Sequence, residues 1–205
     1  GVLTSFENGV GVLAETAAAK LAYRILTGAK VLRLTSKNGG YRIEISGGQI
    51  IEAESVIVAT TAFAAAEFVA DLDAELSRAL ASIDYANIAV VCTGYPRESV
   101  GHDMNGFGFL VPRNQKKRSL GCIWTSSVFP EQVPQDTVLL RTLLGGYLDP
   151  DAVGLSDIEL LDYVKNEIHP LLGIGAEPGF VRIFRHRRGI PQYLLHHGET
   201  LRAID

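Results

Sequence analysis

Two cysteines, one methionine and one tryptophan in 205 residues, with no apolar run long enough to cross a bilayer, narrow the field before any motif is weighed. Cys92 and Cys122 sit in the apolar stretches "AVVCTGY" and "SLGCIWT", without CxxC spacing or paired histidines nearby. That excludes a thiolate metal clip and a disulfide-dense scaffold, and predicts buried free thiols. Basic residues do not dominate either: 19 Lys and Arg against 23 Asp and Glu leave a net charge of −4, interspersed rather than gathered in a tail. No electrostatic footprint for nucleic acid follows from that distribution, and no nucleic-acid partner is expected. The opening "GVLTSFENGV" has neither the basic flank nor the apolar block of a signal peptide, so a cytoplasmic protein is expected. No period of roughly 20 to 50 residues recurs, which sets repeat architectures aside.

Polar catalytic machinery is scarce as well. His196 and His197 are adjacent, so they point in different directions on a helix or a strand, and no spacing supplies further ligands. No metal site is expected. Ser126 and Ser127 lack a glycine-framed nucleophile elbow, and no hydrolase triad assembles.

What is there is apolar surface in two textures. The chain is 47% hydrophobic and 20% charged, enough to bury a proper core. In the alanine-rich run from Gly9 to Leu26, Leu13, Ala17, Leu21 and Ile25 recur at four-residue intervals, which predicts one apolar face and a packed helix. "KVLRLTS", "GYRIEIS" and "QIIEAESVIVAT" are β-rich runs separated by glycine turns too short for crossovers, so an antiparallel meander is predicted, its last run ending in an apolar strand over Val56 to Ala59. A short helix in "TAFAAAEFVADL" and another from Asp73 to about Ile83 follow. Beyond Tyr85, the runs "ANIAVVCTGY", "GFGFLVP", "SLGCIWTSS" and "VLLRTLLGGY" predict strands of one larger, mostly antiparallel sheet, with a basic hairpin turn "NQKKR". Ser156 and Glu159 fit a capping box, with Leu155 and Leu160 spaced for a hydrophobic staple, and Pro170 should disturb that helix near His169. A final strand, "GFVRIFRH", is expected. The fold class is α+β.

"GVGVLA", Gly9 to Ala14, matches a dinucleotide-binding fingerprint letter for letter, but the next predicted strand ends "RLTS" without an acid and continues into a meander. The glycines are read instead as letting a helix start approach neighbouring backbone. The run "RHRR", Arg185 to Arg188, could meet an acidic substrate or simply be solvated. Apolar slots and glycines without acid–base groups suit a cofactor that does the chemistry itself.

Four motifs then stand in one order: "GFGFLVP" at Gly106 to Pro112, "VFPEQ" at Val128 to Gln132, "LLGG" at Leu143 to Gly146 and "GIPQY" at Gly189 to Tyr193. With "SFENGVGVLAETAAAKL" and "AESVIVATTAFAAAEFV", they make the chain resemble the protoporphyrinogen and coproporphyrinogen oxidase family, oxygen-dependent FAD enzymes of the flavin amine oxidase superfamily. The resemblance implies a central fragment of such an enzyme, whose FAD-mediated six-electron oxidation turns a porphyrinogen into a porphyrin in haem biosynthesis. It implies a partial FAD-binding domain over residues 1–73, a substrate domain over 74–195 and a return towards the FAD domain over 196–205. Phe107, Gly108 and Leu110, with Leu143 and Gly145, would line the porphyrinogen pocket, Gly108 letting the ring approach backbone; the backbone of Val31 would bond the adenine of FAD. The fragment alone is expected to retain no FAD, for want of the pyrophosphate motif, and to be inactive. Molecular oxygen would be the other partner, and peripheral association of the whole enzyme with a membrane stays open. So do two alternatives: a non-catalytic tetrapyrrole- or lipid-binding module, and another flavin amine oxidase or desaturase. The resemblance names no catalytic side chain.

Overall fold

The computed structural model describes residues 3–21 and 24–205. Helices α1 (Gly11–Leu21), α2 (Ala62–Val69), α3 (Ala74–Ala81), α4 (Thr125–Val128), α5 (Asp157–Glu167), α6 (His169–Leu172) and α7 (His197–Ile204) accompany eight strands. Strands β1 (Val31–Lys37), β2 (Gly40–Ile45) and β3 (Ile50–Ala53) form one antiparallel sheet in that order. Strands β4 (Tyr85–Pro96), β5 (Gly108–Leu110), β6 (Ser119–Trp124), β7 (Thr137–Gly145) and β8 (Phe180–Pro191) form a second sheet in the order β5-β6-β7-β4-β8. The chain divides into two compact units, Gly1–Lys20 with Tyr85–Ile190, and Leu21–Asp84 with Pro191–Asp205. The fold is α+β.

The larger sheet is built on period-2 alternation. In β7, Val138, Leu140, Thr142 and Leu144 are buried while Arg141 is exposed, and Leu143 belongs to the opposite face from its two buried neighbours. Leu160, Val164, Ile168 and Leu172 recur every fourth residue through α5 and α6, and are buried in one cluster with Val91, Leu140 and Leu144. The capping box starts α5: the Ser156 hydroxyl accepts from Glu159 N–H, and the Glu159 carboxylate accepts from Ser156 N–H at 2.9 Å. Leu155 packs against the same core. The helix yields at Ile168, and α6 begins with Pro170 in its first turn.

The meander unit is closed by chirality-matched turns. Lys37 pairs with Gly40 across Asn38 and Gly39, whose φ values of 48° and 82° are those of a type I′ hairpin. Leu34, Ala65, Phe68 and Val69 form its buried cluster, flanked by Leu76 and Leu80 of α3. Asp73 caps α3 by accepting from Glu75 and Leu76 N–H at 2.8 and 2.9 Å. Helix α7, which the sequence pattern did not announce, packs against α3.

Several expectations are corrected. Helix α1 forms, but it buries no residue, and Leu13 and Leu21 stay exposed; periodicity defines an apolar face without supplying its partner. Positions 22 and 23 of the expected helix lie outside the described residues. Neither Gly9 nor Gly11 approaches foreign backbone: Gly9 is needed for a turn at φ +84°. Val56 to Ala59 lies outside the meander, whose third strand stops at Ala53. Strand β8 continues past His186 to Pro191.

Candidate functional site

The hairpin β5–β6 places the "GFGFLVP" residues. Gly108 pairs with Ile123, Phe109 with Cys122 and Leu110 with Gly121, and the ladder extends through Trp124 N–H to Phe107 O at 2.9 Å and Val111 N–H to Leu120 O at 2.9 Å. Opposite Leu110, Gly121 is fixed by the pairing itself, since a Cβ there would lie 2.5 Å from Phe109 O. The result is a cavity of about 370 Å³ lined by Phe107, Gly108, Leu110, Leu120, Ile123 and Leu143, among others. Leu110 is 87% exposed and Phe107 54%, so two large apolar side chains stand unoccupied at its edge.

Four of the five residues expected at a ring pocket thus come together. Gly145 does not join them: a Cβ there, at φ +99°, would meet Ala152, Asp149 O and Asn87 O, so its glycine serves the packing of the strand end. Gly108 lines the cavity. A Cβ on Gly108 would lie 2.1 Å from Cys122 O and 2.9 Å from Ile123 Cα, so strand pairing by itself already requires the glycine. Leu120, Gly121 and Ile123 were missed. The signal for them was available, because pairing "GFGFL" with "SLGCI" puts both strands of the hairpin around the same slot.

Among the described residues, the only titratable group lining this cavity is Cys122. Burial pushes its thiol up to about 11, against a hydrogen bond from Thr142 that lowers it. A thiol so held stays protonated at neutral pH and is no nucleophile. Two serine hydroxyls just after β6 are engaged with backbone: Ser127 donates to Met104 O at 2.7 Å, and Ser126 accepts from Leu139 N–H at 3.2 Å. The slot can hold and orient an apolar ligand, and it offers no proton transfer of its own.

A second cavity, of about 340 Å³, belongs to the meander unit and is lined by Ala29, Val31, Leu34, Val56, Ala59 and Phe68, among others. Val31 opens β1 immediately before a bulge, the register shifting between Val31 and Arg33. The residue the register skips is Leu32, while Val31 itself pairs with Ile45.

Arg185, His196 and His197 make local contacts. Arg185 is spent on Asp157 at 2.7 Å and on Val153 O and Leu155 O, so it clasps the start of α5. His196 pairs with Glu199 at 3.2 Å and His197 stacks on Tyr193. Cys92 and Cys122 are free thiols, the second buried. "GVGVLA" heads a helix whose next strand, β1, is antiparallel to its neighbour, which is not the arrangement of the dinucleotide fingerprint. No helix among the described residues is long and apolar enough to cross a membrane.

Comparison with known proteins places this geometry. The model of the flavin containing amine oxidoreductase family matches residues 1–193. The chain is 28% identical over its whole length to coproporphyrinogen III oxidase of Bacillus subtilis (strain 168), of which it covers 43%. Over 96% of its length it is 28% identical to the chloroplastic protoporphyrinogen oxidase of Nicotiana tabacum, of which it covers 38%. The chain therefore spans less than half the length of these relatives. A candidate protoporphyrinogen oxidase from Exiguobacterium sp. 255-15 shares the fold over 98% of the chain and 43% of its own, with a TM-score of 0.75 at 21% identity. The chain belongs to the flavin containing amine oxidoreductase family.

Proposed function

We propose that this chain provides the ring-binding sheet and the adenine-side wall of an FAD-dependent porphyrinogen oxidase, an enzyme of haem biosynthesis that oxidises CH–CH bonds of protoporphyrinogen IX or coproporphyrinogen III with oxygen as acceptor. The observation that carries it is the mostly apolar slot on β5–β6, bounded by Phe107, Leu110, Leu120 and Leu143, whose one titratable lining group, Cys122, stays protonated. The names of the relatives supply the substrate class. When bound, the flavin would take hydride equivalents from the porphyrinogen and pass them to O₂, giving H₂O₂.

The chain's own residues hold the ring. Phe107 and Leu110 would lie against its faces and exclude water, each gaining apolar contact at roughly 25 cal/mol per Å² covered. In the meander unit, Val31 main chain and the apolar lining from Val56 to Ala59 would hold the adenine. The chain by itself is expected to purify without stoichiometric flavin, because no described strand–turn–helix unit offers amide donors for a pyrophosphate.

In the flavin-loaded whole protein, Leu110→Asp is expected to raise the KM for porphyrinogen at least tenfold and leave the flavin absorbance unchanged. An unaltered KM contradicts the assignment. A fall in flavin content would instead mean that Leu110 serves the cofactor, which also contradicts it.

A further inference from the structure

The turn that closes the β5–β6 hairpin runs "VPRNQKKR" and contains no acid. Arg113, Lys116 and Lys117 are exposed, and none forms an ion pair with a described residue. Arg141 and Arg187 also lack an ion pair with a described residue, but these three cations stand within five positions of one another on a turn without an acid, whereas Lys30, Arg33, Lys37, Arg118, Lys165 and Arg185 are paired. The turn is also held in place. Arg113–Gln115 form one tight 3-10 turn, Lys116 is fixed at φ 52° with its N–H on Arg113 O, and the Glu167 carboxylate accepts from Arg118 and Ser119 N–H at 3.2 and 2.9 Å. Arg113 follows Leu110 by three residues and Lys117 precedes Leu120 by three, so at most ~11 Å of chain separates these two cations from the slot wall, and ~14 Å separates Lys116, four residues before Leu120.

The slot itself has nothing that could meet a carboxylate. A ligand that is apolar in its body and anionic at its rim must find its counter-charges outside the cavity, and this turn carries them at one end of it. We infer that Arg113, Lys116 and Lys117 form an anion-steering edge that selects the porphyrinogen bearing more carboxylate arms, so that the tetracarboxylate ring is preferred over the dicarboxylate one. The inference rests on the ring-binding reading of the slot. Clustered exposed cations raise the local concentration of anions and do so less as salt is added.

The test titrates this chain with coproporphyrin and with protoporphyrin, the oxidised tetracarboxylate and dicarboxylate rings, following the shift of the porphyrin Soret band. The parent chain is compared with the triple variant Arg113→Gln, Lys116→Gln, Lys117→Gln and with Leu110→Asp. Coproporphyrin should bind the parent more tightly at low salt. Its advantage should fall about tenfold in the triple variant, as three surface-strength pairs would give, and shrink likewise at high salt. Triple-variant binding identical to the parent's for both rings, with Leu110→Asp still abolishing it, overturns the steering edge and leaves the slot reading intact. No binding of either ring to the parent overturns the slot reading, and the inference with it.

Discussion

The two units hold themselves together differently. In the five-stranded unit, Val91, Leu140, Leu144, Leu160, Val164 and Ile168 have no exposed surface. In the meander unit the most buried apolar residue, Val69, still exposes 3%, and its cations sit in exposed pairs: Lys30 with Glu67, Arg33 with Asp71, Lys37 with Glu52. A dry core built on every fourth helical residue gives each side chain neighbours that cannot collapse into a vacancy. Exposed ion pairs contribute ~0–1 kcal/mol and are screened by salt. The five-stranded unit is a rigid platform, and rigidity is what a slot needs if it is to keep its shape when empty.

The largest expected difference lies in the cores. Leu160→Ala should cost about 2–5 kcal/mol in chemical unfolding of the five-stranded unit, because the cavity left under α5 cannot close. An effect below about 1 kcal/mol would erase the contrast between the units. Next comes Gly108→Val, which should lower stability by roughly 1–3 kcal/mol or more, because its Cβ would run into the Cys122 carbonyl and prise β5 off β6. A variant that melts like the parent would show that the hairpin pairs differently.

A smaller effect attends Tyr95, which is 1% exposed and bonds His169 at 2.7 Å. Burial lowers the His169 pKa below the ordinary imidazole value; Glu177 opposes this and Lys165 adds to it. A depressed folded pKa means stability that is full above the unfolded value and lost as pH falls through the folded one. Tyr95→Phe should cost about 0.5–1.5 kcal/mol at neutral pH, and His169→Gln should flatten the loss of stability on acidification. Unfolding curves from pH 7 down to 5 for the three proteins check both. The smallest effect belongs to the meander unit's surface: Arg33→Ala should change stability by less than ~1 kcal/mol, and by nothing measurable at high salt. A larger loss would make Arg33–Asp71 a structural pair.

Much of this architecture was legible in the chain because local rules carried it. The capping box at Ser156 and Glu159, the turn at Asn38 and Gly39, and the alternation in "VLLRTLLG" each follow from contacts within a few residues, and each appears as expected. Burial was less legible, because it depends on partners distant in sequence. Leu13 and Leu21 have a helical face with nothing on it, and the apolar run at Val56 to Ala59 joins no sheet among the described residues. Glycines misled for a related reason. Gly108, Gly121 and Gly145 look alike as letters, and only the position of the neighbouring strand or loop tells which one the fold cannot replace. Phe107, Leu110 and Leu143 were grouped through the resemblance, and the structure brings them to one slot through strand pairing. Val31 was accessible only through resemblance, since a main-chain contact leaves no trace in composition.

The slot itself can be interrogated with the chain's own reporter. Trp124 is the only tryptophan, and its backbone N–H bonds the carbonyl of Phe107 at the slot edge, at 2.9 Å. Added porphyrin should quench its fluorescence in a saturable manner, and Leu110→Asp should abolish the quenching while leaving the emission spectrum and melting temperature of the free chain within error of the parent. Quenching that persists undiminished in Leu110→Asp, or none at all in the parent, would show that the ring does not sit against the β5–β6 hairpin.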